Sequence, residues 1–340
     1  MITPSYSPND ANILAQTIAQ PNRNLVIDII KIVASFGVVT IHVHNSTQAA
    51  DNFGSFFLRF CVPFFYITAL SYFAASQTRS IDILGGITKI WRRICIPFFT
   101  WSFIYTSLLL FKHLLIGGSR EFNFWRIFLY GASAEHLYYL PELAVMQILV
   151  LGLLLLIVKN KQNVGMGLIV IAICYLAWGS WHNYYGITSW NSVIFYIILS
   201  LYIGQKLSYV RRENWYFNSG ILLIALSISN SFIKYPALLN NYLFNLPIGG
   251  LGLMFIALGI SVKRSPQWVL AFSSATYGIY LSHVLLLEAF EFAVERFHYN
   301  IYYNLITKLI VTSLIFLISF AFTLIARRYK LTRLLLLGEY

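Results

Sequence analysis

Charge is scarce in this sequence. Only 11% of its 340 residues are Asp, Glu, Lys or Arg, where a soluble domain carries about a quarter. Together with 58% hydrophobic residues and a mean hydropathy of +0.69, that shortage excludes an ordinary soluble protein. Acidic residues are the rarest charges, 12 against 24 Lys and Arg, for a net charge of +12. The excess does not point to nucleic acid, because the basic residues sit in short clusters between apolar runs, as in the cytoplasmic loops of membrane proteins. Cysteine is nearly absent. Cys61, Cys95 and Cys174 all fall inside apolar runs, a placement unlike any disulfide framework or metal site. Repeats, low-complexity tracts and a second domain are missing too. A polar tail of about 22 residues before the first apolar run argues against a cleavable signal.

What the sequence does have is long apolar runs. Ten are long enough to cross about 30 Å of hydrocarbon, near 24–45, 52–76, 94–115, 137–158, 163–181, 190–208, 216–232, 244–262, 268–290 and 302–326. The expected fold is all-α, a polytopic integral membrane bundle of ten transmembrane helices spanning 24–327, with tails at 1–23 and 328–340. The stretch 121–133, EFNFWRIFLYGAS, is too short and polar to span and is expected at an interface. With the N-terminus placed inside, 16 Lys and Arg fall on inner segments and 5 on outer ones. The positive-inside rule then puts both termini in the cytoplasm. The expected location is a cell membrane, multi-pass, of the bacterial inner-membrane kind.

Ionisable groups inside such spans are expensive and mark function. The first run, NLVIDIIKIVASFGVVTIHVHN, carries Asp28, Lys31 and His42. Lys31 and His42 are eleven residues apart, close to whole turns, so they share a face about 16 Å apart. With Asp28 below and Ser35 between, they form a polar stripe. Snorkelling of Asp28 and Lys31 to the inner interface would explain part of it; a polar cavity within the bundle would explain all of it. A neutral histidine there suits general-base work. His44 points almost the opposite way.

Other spans add candidates. Lys89, Arg92 and Arg93, in KIWRRICIPFF, are either a topological anchor or a phosphate site, since guanidinium binds phosphate bidentately. EHLYYLPEL places His136 at the outer end of the fourth span and Glu142 deeper. A buried carboxylate needs a partner, and Arg59 is the candidate. Tyr138 and Tyr139 read more readily as an interfacial aromatic belt. In SSATYGIYLSHVLLLEAF, Tyr280 and His283 share one face, and Gly278 allows close helix approach. Lys308 lies within the last span.

These motifs together resemble the membrane-bound acyltransferase-3 family from about residue 24 to 327. Lys31 and His42 match a basic residue, ten residues and a histidine, with Lys for the more usual Arg. VPFFYITAL, residues 62 to 70, is similar to VPxFFxxSG, with Thr68 and Ala69 replacing Ser-Gly. KIWRRICIP is similar to an Arg-x-x-Arg cluster followed by Pro. HLYYLPEL resembles HLWFLPAL, with Glu142 for Ala, and TYGIYLSH is close to TYGIYLIH, the most specific match.

The resemblance implies acyl transfer from acetyl-coenzyme A, or another acyl-coenzyme A, on the cytoplasmic side. The acceptor would be a hydroxyl of a cell-surface polysaccharide or its lipid-linked precursor. It implies His42 as base or transient acyl carrier, with Lys31 and Arg93 neutralising donor phosphates or developing charge. The lipid bilayer is the setting, and no permanently bound cofactor, metal or nucleic acid is expected. Two readings from other classes stand beside it: a transporter or flippase exporting a glycan or small solute, and a scaffold in a polysaccharide-synthesis complex. Inverted halves and paired broken helices, which would favour a transporter, are not evident.

Overall fold

Hydrocarbon offers no hydrogen-bond partners, so a backbone within it must pair with itself. Residues 24–78, 81–116, 123–157, 190–207, 214–229, 245–260, 262 and 266–339 are described by a computed structural model, and its regular elements are all helical. In chain order they are α1 (Leu25–His42), α2 (Gln48–Thr78), α3 (Ile83–Ile90), a π-turn (Trp91–Cys95), α4 (Ile96–Ile116), α5 (Phe124–Tyr130), a 3-10 turn (Glu135–Tyr138), α6 (Tyr139–Ile157), α7 (Trp190–Leu207), α8 (Asn214–Ser229), α9 (Asn245–Gly259), α10 (Gln267–Arg296), α11 (Leu305–Arg328) and α12 (Lys330–Leu337).

Nine of the ten expected spans are helices; the run 163–181 lies outside the described residues. Six helical segments are long and apolar enough to cross a membrane, namely 25–42, 48–77, 83–112, 135–157, 267–296 and 305–328. Shorter apolar helices run through Val193–Gln205 and Ile248–Gly259. The third span begins earlier than expected, because α3, the π-turn and α4 form one continuous rod from Ile83. The basic cluster is therefore inside a helix rather than ahead of it. α5, only seven residues long, exposes Phe124, Trp125 and Leu129, as a segment lying on an interface would.

The outside of the bundle is apolar, and polar groups are buried among the apolar side chains of its interior. Ile29, Val33, Phe103, Phe111, Ile198, Leu222, Ile310 and Leu317 face outward, while Asp28, Ser35, His136, Glu142, His283, Lys308 and Thr323 are buried. That reverses the soluble pattern and is the arrangement a lipid solvent selects. α1 lies against α2, α10 and α11, and a first apolar cluster joins α1 through Val39 and Val43 to Ala275 and Ile279 of α10 and Val311 and Ile315 of α11. A second, larger cluster packs α2, α4, α6, α7 and α9 around Phe64, Trp101, Leu140 and Met254. The start of α1 is tied down by Asn24. Its side chain caps the Val26 amide at 2.9 Å and donates to the Ala257 carbonyl at 2.6 Å, so α1 enters the bundle beside α9.

Gly278 does what its small size allows. A Cβ there would stand 2.5 Å from Thr323 Cγ2 and 2.9 Å from Leu337 Cδ2, where α10 crosses α11 and α12. Gly278→Ala is predicted to destabilise the bundle by about 1–3 kcal/mol, the usual cost of overpacking. Thr323→Ala removes the nearest clashing atoms and should restore part of the loss. Thermal midpoints of the solubilised single and double variants check this; strictly additive losses would mean the two side chains do not meet.

Candidate functional site

Three histidines from three distant parts of the chain converge. His42 ends α1, His136 sits in the 3-10 turn before α6, and His283 lies in mid-α10. Their ring centroids are separated by 6.0 Å (His42–His136), 5.1 Å (His42–His283) and 5.0 Å (His136–His283). His136 is 3% and His283 0% exposed, and His42 is half-buried.

The tautomer of His283 follows from its surroundings. Its Nδ1 lies 2.6 Å from the Tyr280 carbonyl and 3.2 Å from that of Ile279. Carbonyls only accept, so in the neutral ring the proton is on Nδ1 and Nε2 is a bare acceptor. That Nε2 is buried with no hydrogen-bond partner among the described residues, as are both ring nitrogens of His136. Buried polar atoms are nearly always paired, so three of them on two rings whose centroids are 5.0 Å apart are candidates to pair with a substrate group.

Tyrosines hold the cluster in place. The Tyr280 hydroxyl donates to the His136 carbonyl, fixing the 3-10 turn against α10. Tyr105 of α4 donates to the Leu281 carbonyl at 3.1 Å and accepts from the Leu285 amide at 3.0 Å. Its hydroxyl thus meets two groups one turn apart on α10, directly beside His283. The Tyr105 ring also lies 5.4 Å from His136.

Below the histidines, Glu142 is 6% exposed and accepts from the Tyr66 hydroxyl. Tyr66 lies 4.4 Å from Tyr139 and 5.2 Å from Tyr196, and Tyr139 lies 5.4 Å from Tyr280. The expectation of an interfacial belt at Tyr139 is therefore wrong: that ring is buried and packs in the bundle's interior. The side chain of Arg59, expected opposite Glu142, lies outside the described residues.

The polar stripe on α1 is divided among different neighbours. Asp28, 2% exposed, accepts from the Ser273 hydroxyl of α10. Lys31 sits with Nζ 5.1 Å from the Tyr72 ring centroid, a cation–π contact with α2. Only His42 reaches the cluster. His44 turns away as expected and meets Glu291 at 3.4 Å.

The basic residues occupy the other end of α10. Arg92 and Arg93 are exposed within the π-turn, and the Arg93 carbonyl accepts from the Tyr277 hydroxyl at 2.9 Å. π-turns often occur at functional sites. Lys89, one turn earlier on α3, donates to Ser76 Oγ at 3.3 Å. Among the described residues no group of His, Cys, Asp and Glu has metal-binding geometry.

The intramembrane Lys308 secures the end of a neighbouring helix. It is 0% exposed, donates to the Val43 carbonyl at 2.9 Å and also to Asn45 Oδ1. A buried cation thereby caps the C-terminus of α1, where the helix dipole favours positive charge, one residue past His42.

A family model described as an acyltransferase domain matches residues 24–328, every described helix except α12. Neither a curated protein nor a solved structure matches the chain.

Lys308→Ala should destabilise the C-terminal end of α1, because it leaves the buried Val43 carbonyl without its donor and Asn45 Oδ1 without one partner. The charge goes with the side chain, so the cost is that of an orphaned neutral acceptor, about 1–3 kcal/mol. Asn45→Ala, which removes one acceptor and leaves the Val43 contact, should cost less. Thermal midpoints in one detergent give the ranking; equal losses would refute the cap.

Proposed function

The chain belongs to the acyltransferase-3 family, and from that premise we propose that it moves an acetyl group from cytosolic acetyl-coenzyme A to a hydroxyl of a cell-surface polysaccharide or its lipid-linked precursor. The observation that carries the site assignment is the histidine cluster, three imidazoles with ring centroids 5.0 to 6.0 Å apart and unpartnered buried nitrogens. In this reading the acceptor hydroxyl attacks the thioester carbonyl while His42 takes its proton. The tetrahedral oxyanion collapses, the carbon–sulfur bond breaks, and the proton passes from His42 to the departing thiolate. One ester and one thiol result from one alcohol and one thioester. His283, whose bare Nε2 can only accept, is suited to receive a hydrogen bond from protonated His42 and keep its ring turned toward the substrate.

The donor enters from the end that carries Arg92 and Arg93, which this reading places in the cytoplasm. Guanidinium groups there bind its phosphates, and Lys89 adds a third charge. Tyr277 and Tyr280 lie between that mouth and the histidines, three residues apart on α10, with rings stacked at 6.5 Å. Lys31, against Tyr72 rather than at the cluster, contributes charge beneath the reaction centre. Glu142 and its tyrosines supply hydrogen-bonding groups suited to a hydroxylated acceptor.

His42→Ala should remain inserted, since it opens no large apolar cavity, yet lose transfer by at least the 10²–10⁴-fold typical of a lost general base. His44→Ala should stay near wild type. Lys31→Arg should keep appreciable turnover and Lys31→Ala should not. Purified protein given acetyl-coenzyme A should release free thiol only when acceptor is added; a transporter would release none. Near-normal turnover of His42→Ala, normalised to membrane abundance, would return the cluster to a structural role.

Arg93→Ala should weaken donor binding roughly ten- to a hundredfold, the range for a lost charge-assisted contact, with Arg93→Lys recovering part of it. Direct binding of coenzyme A measures both. Unchanged affinity in both variants would leave the arginines as a topological anchor.

A further inference from the structure

We propose that Arg333, carried by the C-terminal helix α12, is a further phosphate ligand of the donor site, beside Arg92 and Arg93. The proposal rests on the donor-site reading above and extends it to an element beyond residues 24–328.

The π-turn exposes its own backbone. The Ile96 amide reaches back five residues to the Trp91 carbonyl, so the ladder is locally displaced and carbonyls are freed. One of them, on Arg93, is taken by Tyr277. Against the same turn lies the end of α12. Gly338 has φ +63°, and a Cβ there would stand 2.7 Å from the Arg92 carbonyl oxygen and 2.8 Å from Arg93 Cα. Glycine is needed twice over, for its left-handed backbone and for the close approach. The Gly338 amide bonds the Leu334 carbonyl at 3.0 Å and the Glu339 amide bonds that of Arg333 at 3.2 Å, so the helix ends in a wound cap. Trp101 Nε1 donates to the Leu336 carbonyl at 3.0 Å, pinning α12 to α4.

The cations at this end are not equivalent. Arg327 is fully engaged, with Nε 2.9 Å from Glu339 Oε2, a second bond to Glu339 Oε1, and Ser274 Oγ and carbonyl at 2.9 and 2.7 Å. It acts as a strut between α10, α11 and the chain end. Arg333 differs. Its Nε is buried and has no acceptor among the described residues. A guanidinium N–H without an acceptor is unfavourable; Arg333 as a whole is only part-buried, and its guanidinium is of the type that binds phosphate. Five residues of helix, about 7.5 Å of rise, separate Arg333 from the glycine that touches the Arg92–Arg93 backbone. Coenzyme A carries a diphosphate and a separate ribose phosphate, so anions are available for more than one arginine. An anionic lipid headgroup offers the same chemistry, and the test separates the two.

The test uses the full chain in neutral-lipid nanodiscs. Arg333→Ala should raise KM for acetyl-coenzyme A about tenfold while kcat at saturation is retained, the pattern of a contact made equally in ground and transition states. With S-acetylpantetheine, which has no phosphate, the penalty should vanish. Arg333→Lys should recover part of the loss, and Arg93→Ala serves as the reference. A raised KM in Arg93→Ala with none in Arg333→Ala overturns this inference and leaves the donor site standing; no effect in either overturns both. A penalty that persists with S-acetylpantetheine assigns Arg333 to structure, and one that appears only when anionic phospholipid is added assigns it to the headgroup. Should Arg333→Ala not accumulate, Arg333→Gln, which keeps hydrogen-bonding capacity without charge, decides in its place.

Discussion

Everything in this bundle follows from a solvent that cannot form hydrogen bonds. Lipid accepts Ile29, Val33, Phe103 and Leu317 without cost, and it forces Asp28, Glu142, His283 and Lys308 to find partners in the protein. The partners found are mostly backbone carbonyls and hydroxyls: Ser273 for Asp28, Tyr66 for Glu142, the Tyr280 and Ile279 carbonyls for His283, and the Val43 carbonyl for Lys308. All but the His283 contacts, which lie within α10, join two helices or secure a helix end. The polar groups are therefore also what sets the register of the bundle, because apolar side chains in lipid provide little preference for one helix neighbour over another.

Against that background, the groups left without partners stand out. Among the described residues eleven buried side-chain polar atoms lack a hydrogen-bond partner, most of them serine and threonine hydroxyls; the nitrogens of His136 and the Nε2 of His283 differ in belonging to rings whose centroids lie 6.0 and 5.1 Å from that of His42. The surrounding tyrosines hold them there. Tyr105 does so by donating to the Leu281 carbonyl and accepting from the Leu285 amide, two groups one turn apart on α10. A site that leaves buried imidazole nitrogens without partners is less stable than it could be. Local concessions of this kind are expected where function, rather than folding, selects the residues.

Much of this could be read from the residues. Apolar run length located nine of the described helices, and the cost of ionisable groups in lipid singled out His42, His136 and His283 before their convergence was visible. The convergence itself could not be read, because helical periodicity fixes faces within one helix and says nothing about which faces meet. Lys31 shows the limit. Its spacing to His42 was a sound statement about α1, yet the two side chains meet different helices, Tyr72 for one and the histidines for the other. Tyr105 and Tyr66 carried no signal among so many aromatics, since a hydroxyl's partner is invisible in composition. Tyr139 misled because tyrosine at a span's end is ordinarily interfacial. The helix α12 carries little signal because eight residues, five of them leucine with Lys330 and Arg333, look like the frayed end of a span.

One helix connects the two ends of the site. Tyr277, Tyr280 and His283 follow one another at intervals of three on α10 and so share a face over about 9 Å. The first grips the Arg93 carbonyl, the second the His136 carbonyl, and the third belongs to the histidine cluster. Gly278, on another face, lets α10 press against Thr323 of α11 and Leu337 of α12, while Arg327 ties Ser274 to the chain end. The turn bearing the arginines is thus clamped between α10 and α12, and α10 continues from that clamp to the histidines without interruption by a loop. Because a packed helix moves as a rigid element, a displacement of the arginine turn through Tyr277 would be felt at His283. The distance between the arginine turn and the histidine cluster is set by six residues of α10, which makes that helix, rather than α1, the element that gives this part of the bundle its length.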